Sequence, residues 1–168
     1  MFVAAGGANV TPSLWEGVSQ AVETRTMTTE TEAVKAKVTV TPTAIRILIV
    51  EDHPMVRRGL RLLLSLEPDF EVCGEAETQA EALAQAAALQ PGVAIVDLRL
   101  KSGNGLELIA QLRARWPGLK IVVYSMHAER YRVDQAMHAG ADAFVAKEEG
   151  TVKVIRTIRK LCERARHA

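Results

Sequence analysis

The chain has 168 residues, a formal net charge of +1, 48% hydrophobic residues and 24% charged ones. That composition suits one globular domain with a real core, plus a tail. The near-neutral charge argues against a general nucleic-acid or membrane-surface binder, and no apolar run approaches the roughly 18 residues of a membrane span.

Residues 1–43 are threonine-rich and hold few long apolar side chains. Such a segment buries too little surface to offset its ordering entropy, so it is expected to form a disordered N-terminal extension. Two local signals stand against this. Ser13-Leu14-Trp15-Glu16 resembles a capping box, with Leu14, Val18 and Val22 on one helical face. Val34, Ala36, Val38 and Val40 alternate with Lys35, Lys37 and Thr39 as in a strand. Met27 offers an alternative start of translation. The first residues, MFVAAGGANV, lack the basic flank and apolar core of a secretion signal, which predicts a cytoplasmic protein.

From residue 44 to 166 the pattern is regular. Ile45–Val50 is the first strand. Pro54–Leu66 is a helix, with proline suited to its first position and Val56, Leu60, Leu63 and Leu64 on one face. Phe70–Cys73 is a short second strand. The alanine-rich helix Gln79–Leu89 stops at Pro91-Gly92, and Val93–Val96 is the third strand. A helix over Leu106–Arg115 buries Leu106, Ile109 and Leu112, with Trp116 packing at its end. Lys120–Tyr124 is the fourth strand, Glu129–His138 the fourth helix and Ala143–Ala146 the fifth strand. Thr151–Arg164 closes the domain as a helix burying Val152, Ile155, Ile158 and Cys162.

Strands alternating with helices imply an α/β fold, an open doubly wound parallel sheet covered on both faces. With the first strand central, the order is 2-1-3-4-5, flavodoxin-like (βα)5. Ligands bind such sheets beyond the carboxyl ends of the strands. There the sequence places Glu51 and Asp52 after strand 1, Asp97 after strand 3, Ser125 after strand 4 and Lys147 after strand 5. Strand 2 ends on nothing of note. Converging carboxylates repel and call for a cation. A hard divalent ion with oxygen ligands, Mg²⁺, answers that need, and Lys147 suits an incoming phosphoryl group. A lone aspartate after a strand is unremarkable; four strand ends filled together are not.

The stretches IVEDHPMVRRG, VDLRLKSGNGLEL, VVYSMHAE and AGADAFVAKE resemble the receiver domain of bacterial two-component response regulators, most closely receivers of the NarL/LuxR type. The resemblance implies that Asp97 is the phosphoacceptor, served by a sensor histidine kinase or a phosphotransfer protein. It implies that Asp52 and Asp97 hold Mg²⁺ directly, Glu51 through water and Arg99 through its backbone carbonyl. Ser125 and Lys147 would contact the phosphoryl group. Ser125 and Phe144 would form the switch, repacking the face of helix 4, strand 5 and helix 5 toward a downstream protein or a second copy.

Four positions set the chain apart within that pattern. Lys101 stands where the family often has proline, four residues after the acceptor. Phe144 lacks the hydroxyl of the commoner tyrosine. Arg99 and His127, each two residues after a site residue, occupy positions that tune phosphoryl lifetime in the family.

No helix-turn-helix follows the last helix, so the sequence reads as a single-domain regulator acting by protein contact, or as the receiver fragment of a DNA-binding transcriptional regulator. Enzymatic turnover is not expected beyond Mg²⁺-dependent self-phosphorylation and autodephosphorylation. An aspartate-nucleophile phosphohydrolase would want a second aspartate where Arg99 stands, and a receiver-like module that is never phosphorylated fits poorly with the complete residue set. His53, His127, His138 and His167 show no metal-ligand spacing, and Cys73 and Cys162 read as free thiols. Lys153, Arg156, Arg159, Lys160, Arg164 and Arg166 make the last helix basic, either a solvated face or a surface for an acidic partner.

Overall fold

The computed structural model describes residues 44–166. The expectations for residues 1–43, including Trp15, and for His167 lie outside the described residues, as do the side chains beyond Glu163.

Five parallel strands form one sheet: β1 (Ile45–Val50), β2 (Phe70–Ala76), β3 (Val93–Val96), β4 (Lys120–Ser125) and β5 (Ala143–Ala146). Their order is β2-β1-β3-β4-β5, as expected. The helices are α1 (Pro54–Leu64), α2 (Gln79–Leu89), α3 (Gly105–Arg115), α4 (Arg130–Ala139) and α5 (Thr151–Arg166). A short 3-10 turn, Lys147–Glu149, follows β5.

The pleat sends alternate side chains of each strand to opposite faces. Ile47 and Ile49 of β1 join Leu60 and Leu64 of α1 and Val154, Ile155 and Ile158 of α5. Leu48 and Val50 join Ala82 and Ala86 of α2, Leu108, Ile109 and Leu112 of α3 and Ala136 of α4. Both faces of β1 and β3 are therefore buried, which explains their unbroken apolar runs. Each fully buried Ile, Leu or Val contributes about 1.5–3 kcal/mol over its exposed state.

Helix ends follow local chemistry. The Thr78 hydroxyl accepts from Glu81 N at 3.2 Å to start α2, and Gln90 ends it in the left-handed conformation. The Asn104 side chain accepts from Leu106 N at 3.0 Å to start α3. Trp116 does cap α3 and packs against the core.

Several expectations need correction. Strand β2 runs on to Ala76, because a bulge opposite Ile47/Leu48 carries the chain past Gly74. Val152 is 64% exposed and Val154 is buried in its place, since the packing of α5 on the sheet selects a different phase. Leu63 is 39% exposed for the same reason on α1, and Leu108 joins the core where Leu106 is only half-buried. Cys162 is likewise only half-buried. Helix α1 ends at Leu64, with Ser65 as its cap.

Candidate functional site

The last rungs of the strand ladders position the acidic groups. Glu51 N donates to the Ala76 carbonyl at 3.0 Å, and Asp97 N donates to the Val50 carbonyl at 2.9 Å. Glu51 and Asp97 thus leave adjacent strands at one height, on the carboxyl edge of the sheet. Ser125 pairs in register with Ala146, so Lys147 begins one step beyond it.

Side chains from four strand ends meet at Asp97, which is 6% exposed. Its Oδ1 accepts from Ser125 Oγ at 2.8 Å and from Arg99 N at 3.3 Å. Its Oδ2 accepts from Lys147 Nζ at 2.6 Å. The same ammonium lies 2.7 Å from Glu51 Oε2 and 5.9 Å from the Tyr124 ring centroid. Glu51 is 1% exposed, and its Oε1 accepts from His53 N at 3.2 Å. Burial raises the Glu51 carboxyl above its ordinary range; Asp97 adds to this and Lys147 opposes it. Burial alone would lower Lys147, but the hydrogen bonds it donates to Asp97 and Glu51 outweigh this and hold the ammonium above its ordinary value.

Ligand atoms of Glu51, Asp52 and Asp97 lie within 4.8 Å of one another. Three hard oxygen donors at this spacing suit a divalent cation such as Mg²⁺, which prefers few carboxylates and keeps room for waters and phosphate oxygens. The site opens into a cleft of about 510 Å³, lined among others by Arg99, Lys101, Met126 and Lys147. Arg99 Nη1 lies 3.0 Å from His127 Nε2, linking the loops after β3 and β4.

The loop carrying Arg99 and Lys101 is stitched to α2. Gln79 N donates to Ser102 O at 3.3 Å, and Asn104 N donates to Gln79 Oε1 at 3.1 Å. Gly105 permits the close approach of α3 to β3: a Cβ there would stand 2.5 Å from the Asp97 carbonyl oxygen and from Leu98 Cα.

Of the site residues expected from the sequence, Glu51, Asp52, Asp97, Arg99, Ser125, His127 and Lys147 gather at this edge, and Phe144 does not. Phe144 is half-buried on the other side, packed against the core beneath α2, α3 and α4. Sequence reasoning missed the end of β2. Arg57 of α1 donates from Nη1 to the Glu51 carbonyl at 2.7 Å and from Nη2 to Glu77 Oε1 at 2.6 Å. Its Nε lies 3.4 Å from Glu75 Oε2. Nothing in the sequence separates Arg57 from its neighbour Arg58; only the helix phase turns one inward. Glu51, Asp52 and Asp97 form the one cluster of potential metal ligands among the described residues, and no described helix is long and apolar enough to cross a membrane. The half-buried Cys73 thiol donates to the Ile47 carbonyl at 3.4 Å.

A doubly wound sheet with an aspartate, a serine and a lysine bonded together beside two further carboxylates defines an α/β protein built to handle a small, highly charged group. The chain belongs to the response regulator receiver domain family of two-component systems, whose pattern matches residues 47–159. It is 36% identical over 115 residues to the DNA-binding transcriptional activator DevR/DosR of Mycobacterium tuberculosis, covering 68% of this chain and 53% of that protein. It is 33% identical over 116 residues to the response regulator protein VraR of Staphylococcus aureus, covering 69% and 56%. The chain thus spans about half the length of the curated relatives it matches. Among solved structures, the signal receiver domain of NarL from Mycobacterium tuberculosis superposes with a TM-score of 0.69 at 30% identity, covering 73% of this chain and 98% of that one.

Proposed function

We propose that residues 44–166 form a phosphorylation-dependent switch in which Asp97 accepts a phosphoryl group from a histidine kinase or phosphotransfer protein, in the cytoplasm. One observation carries the reading: the Asp97 carboxylate holds Ser125 on one oxygen and Lys147 on the other, with Glu51 and Asp52 beside it.

Phosphoryl transfer depends on positioning and charge neutralisation more than on covalent chemistry by the protein. An Asp97 oxygen forms a bond to phosphorus as the donor's bond to phosphorus breaks, leaving an acyl phosphate. Lys147 supplies a fixed positive charge for the incoming oxygens, and Ser125 a hydroxyl donor. Asp52 and Asp97 would hold Mg²⁺ directly, with Glu51 acting through water and Arg99 through its carbonyl. When bound, the ion neutralises phosphoryl charge. Once Asp97 is modified, Ser125 is free to exchange its carboxylate partner for a phosphoryl oxygen. The turn of Phe144 then follows, a two-state element biased by local charge. Arg99 and His127 meet across the cleft mouth and are positioned to set how fast water reaches the acyl phosphate. The same chemistry supports self-phosphorylation by small phosphodonors and autodephosphorylation. Output would pass to a downstream protein or a second copy through the face of α4, β5 and α5.

Incubation with a small phosphodonor and Mg²⁺, followed by intact-mass measurement, tests this. Wild type should gain one base-labile phosphoryl adduct and Asp97→Asn none; an equal adduct in both removes Asp97 from the role. The half-length match to a DNA-binding relative supports a second reading, the receiver portion of a longer DNA-binding regulator. The mass of the protein isolated from its own cells decides between the two.

A further inference from the structure

We infer that Arg57 is a positioning residue for the metal-binding acidic pair, held in place by two carboxylates at the end of β2. The inference rests on the metal reading of Glu51 and Asp52 proposed above. Arg57 is 85% shielded, its side chain keeping 15% of its full exposure. Its guanidinium makes two hydrogen bonds and a longer ion pair at once: the Glu51 carbonyl at 2.7 Å, Glu77 Oε1 at 2.6 Å, and Glu75 Oε2 at 3.4 Å. Only arginine presents donors in such a planar fork.

The consequence lies in the backbone of Glu51. Its N–H is held by the Ala76 carbonyl at 3.0 Å, and its C=O by Arg57. The peptide joining Glu51 to Asp52 therefore has its oxygen pinned, and that peptide sets the direction in which Asp52 leaves the strand. His53 N on Glu51 Oε1 at 3.2 Å closes the same turn. With the peptide released, Asp52 would sample orientations away from Asp97, because like charges repel across the cluster. Arg57 is thus to the acidic pair what hydrogen-bonded outer groups are to metal ligands elsewhere: it fixes their aim without touching the ion. Glu75 and Glu77 complete the chain by fixing Arg57, so β2 contributes to a site it does not reach.

Arg61 supplies an internal control. It lies one turn further along α1, pairs with Glu75 Oε1 at 3.0 Å, and is 66% exposed in its side chain. Among the described residues its side chain bonds to Glu75, and the Glu51 carbonyl is held by Arg57 instead.

The test is calorimetric titration of Mg²⁺ into the unphosphorylated full chain, at a temperature where every variant is folded by circular dichroism. Arg57→Ala should bind Mg²⁺ about tenfold more weakly, in the range found for lost outer-shell partners. Arg57→Lys, which keeps the charge but not the fork, should fall between, and it serves as the test variant should the alanine protein not fold. Arg61→Ala should stay within about twofold of wild type. Wild-type affinity in folded Arg57→Ala or Arg57→Lys overturns the inference, as does an equal loss in Arg61→Ala, which would mark a general effect on α1. The readout needs no phosphorylation. Wild type that binds Mg²⁺ but accepts no phosphoryl group removes only the phosphoacceptor role of Asp97. Wild type that binds no Mg²⁺ removes the metal reading and this inference with it.

Discussion

The two edges of the sheet are built on opposite electrostatic plans. At the amino edge, Arg113 and Arg159 are each closed upon carboxylates. Arg113 donates to the carbonyls of Gly140, Pro117 and Leu119 at 2.9, 2.6 and 2.9 Å and pairs with Asp142 at 2.6 Å. Asp142 also accepts from Ile121 N at 2.7 Å. Arg159 joins α5 to the loop before β2 through Glu67 at 2.5 Å and Asp69 at 2.7 Å. At the carboxyl edge, three carboxylates cluster, and two of them, Glu51 and Asp97, share one ammonium, that of Lys147. The amino edge holds the fold; the carboxyl edge holds unbalanced charge, at a cost to stability that a cation or a phosphoryl group can alter.

The sharpest way to break this contrast is Lys147→Met. It leaves Glu51 and Asp97 buried without their cation, and should destabilise the apo protein by about 3 kcal/mol at neutral pH. Denaturant unfolding at pH 5 should recover part of the loss, because the Glu51 carboxyl, already raised by burial, takes up a proton. No recovery on acidification would mean that lost packing, not charge, explains the effect. At the amino edge, Asp142→Ala strands donors of Arg113 and Ile121 and should cost about 2 kcal/mol. This loss should be the same with and without Mg²⁺; a Mg²⁺-dependent value would show that the two edges are coupled.

Smaller effects come from relieving the excess charge. Asp52→Asn should raise stability by roughly 0.5–1 kcal/mol in metal-free buffer, since it removes one like charge from an open cleft. It should also abolish the rise in melting temperature that Mg²⁺ gives wild type, because an ion bound to the folded state alone stabilises by mass action. A destabilised Asp52→Asn would contradict the charge-excess picture.

The smallest effect is alkaline. Lys147 is raised above 10.5 in the fold, so its stabilising contribution is complete below the unfolded value of 10.5. It is lost as pH rises through the higher folded value. Wild type should therefore lose more stability than Lys147→Met between pH 10 and 12, by under about 1 kcal/mol. Parallel curves would place the strong interaction elsewhere.

The amino edge was also the less legible of the two. Nothing in the spacing of Arg113 and Asp142, or of Arg159 and Asp69, announces a pairing, because each joins elements distant in the chain. The five site residues were legible because strand ends in a parallel sheet converge by topology, so reading the residue after each apolar run was enough. Where phase within an element mattered, periodicity was too weak a guide. Val152 and Val154 are equally apolar, and only the angle of α5 on the sheet buries the second. The second strand was expected to end at Cys73, yet a bulge at that residue lets β2 continue through Gly74 and bring Glu75 and Glu77 to Arg57.

By itself, then, the amino-acid sequence determined the fold class, the strand order and the membership of the acidic site. Each follows from patterns local in the chain: unbroken apolar runs, helical periodicity and the polar residue that ends each strand. Tertiary structure alone decided which oxygen of Asp97 meets Ser125 and which meets Lys147, that Phe144 packs apart from them, and that Arg57 faces the Glu51 carbonyl while Arg58 faces solvent. Those outcomes depend on helix rotation and loop closure over long sequence separations, where a shift of one residue in phase exchanges partners and the one-dimensional pattern is unchanged.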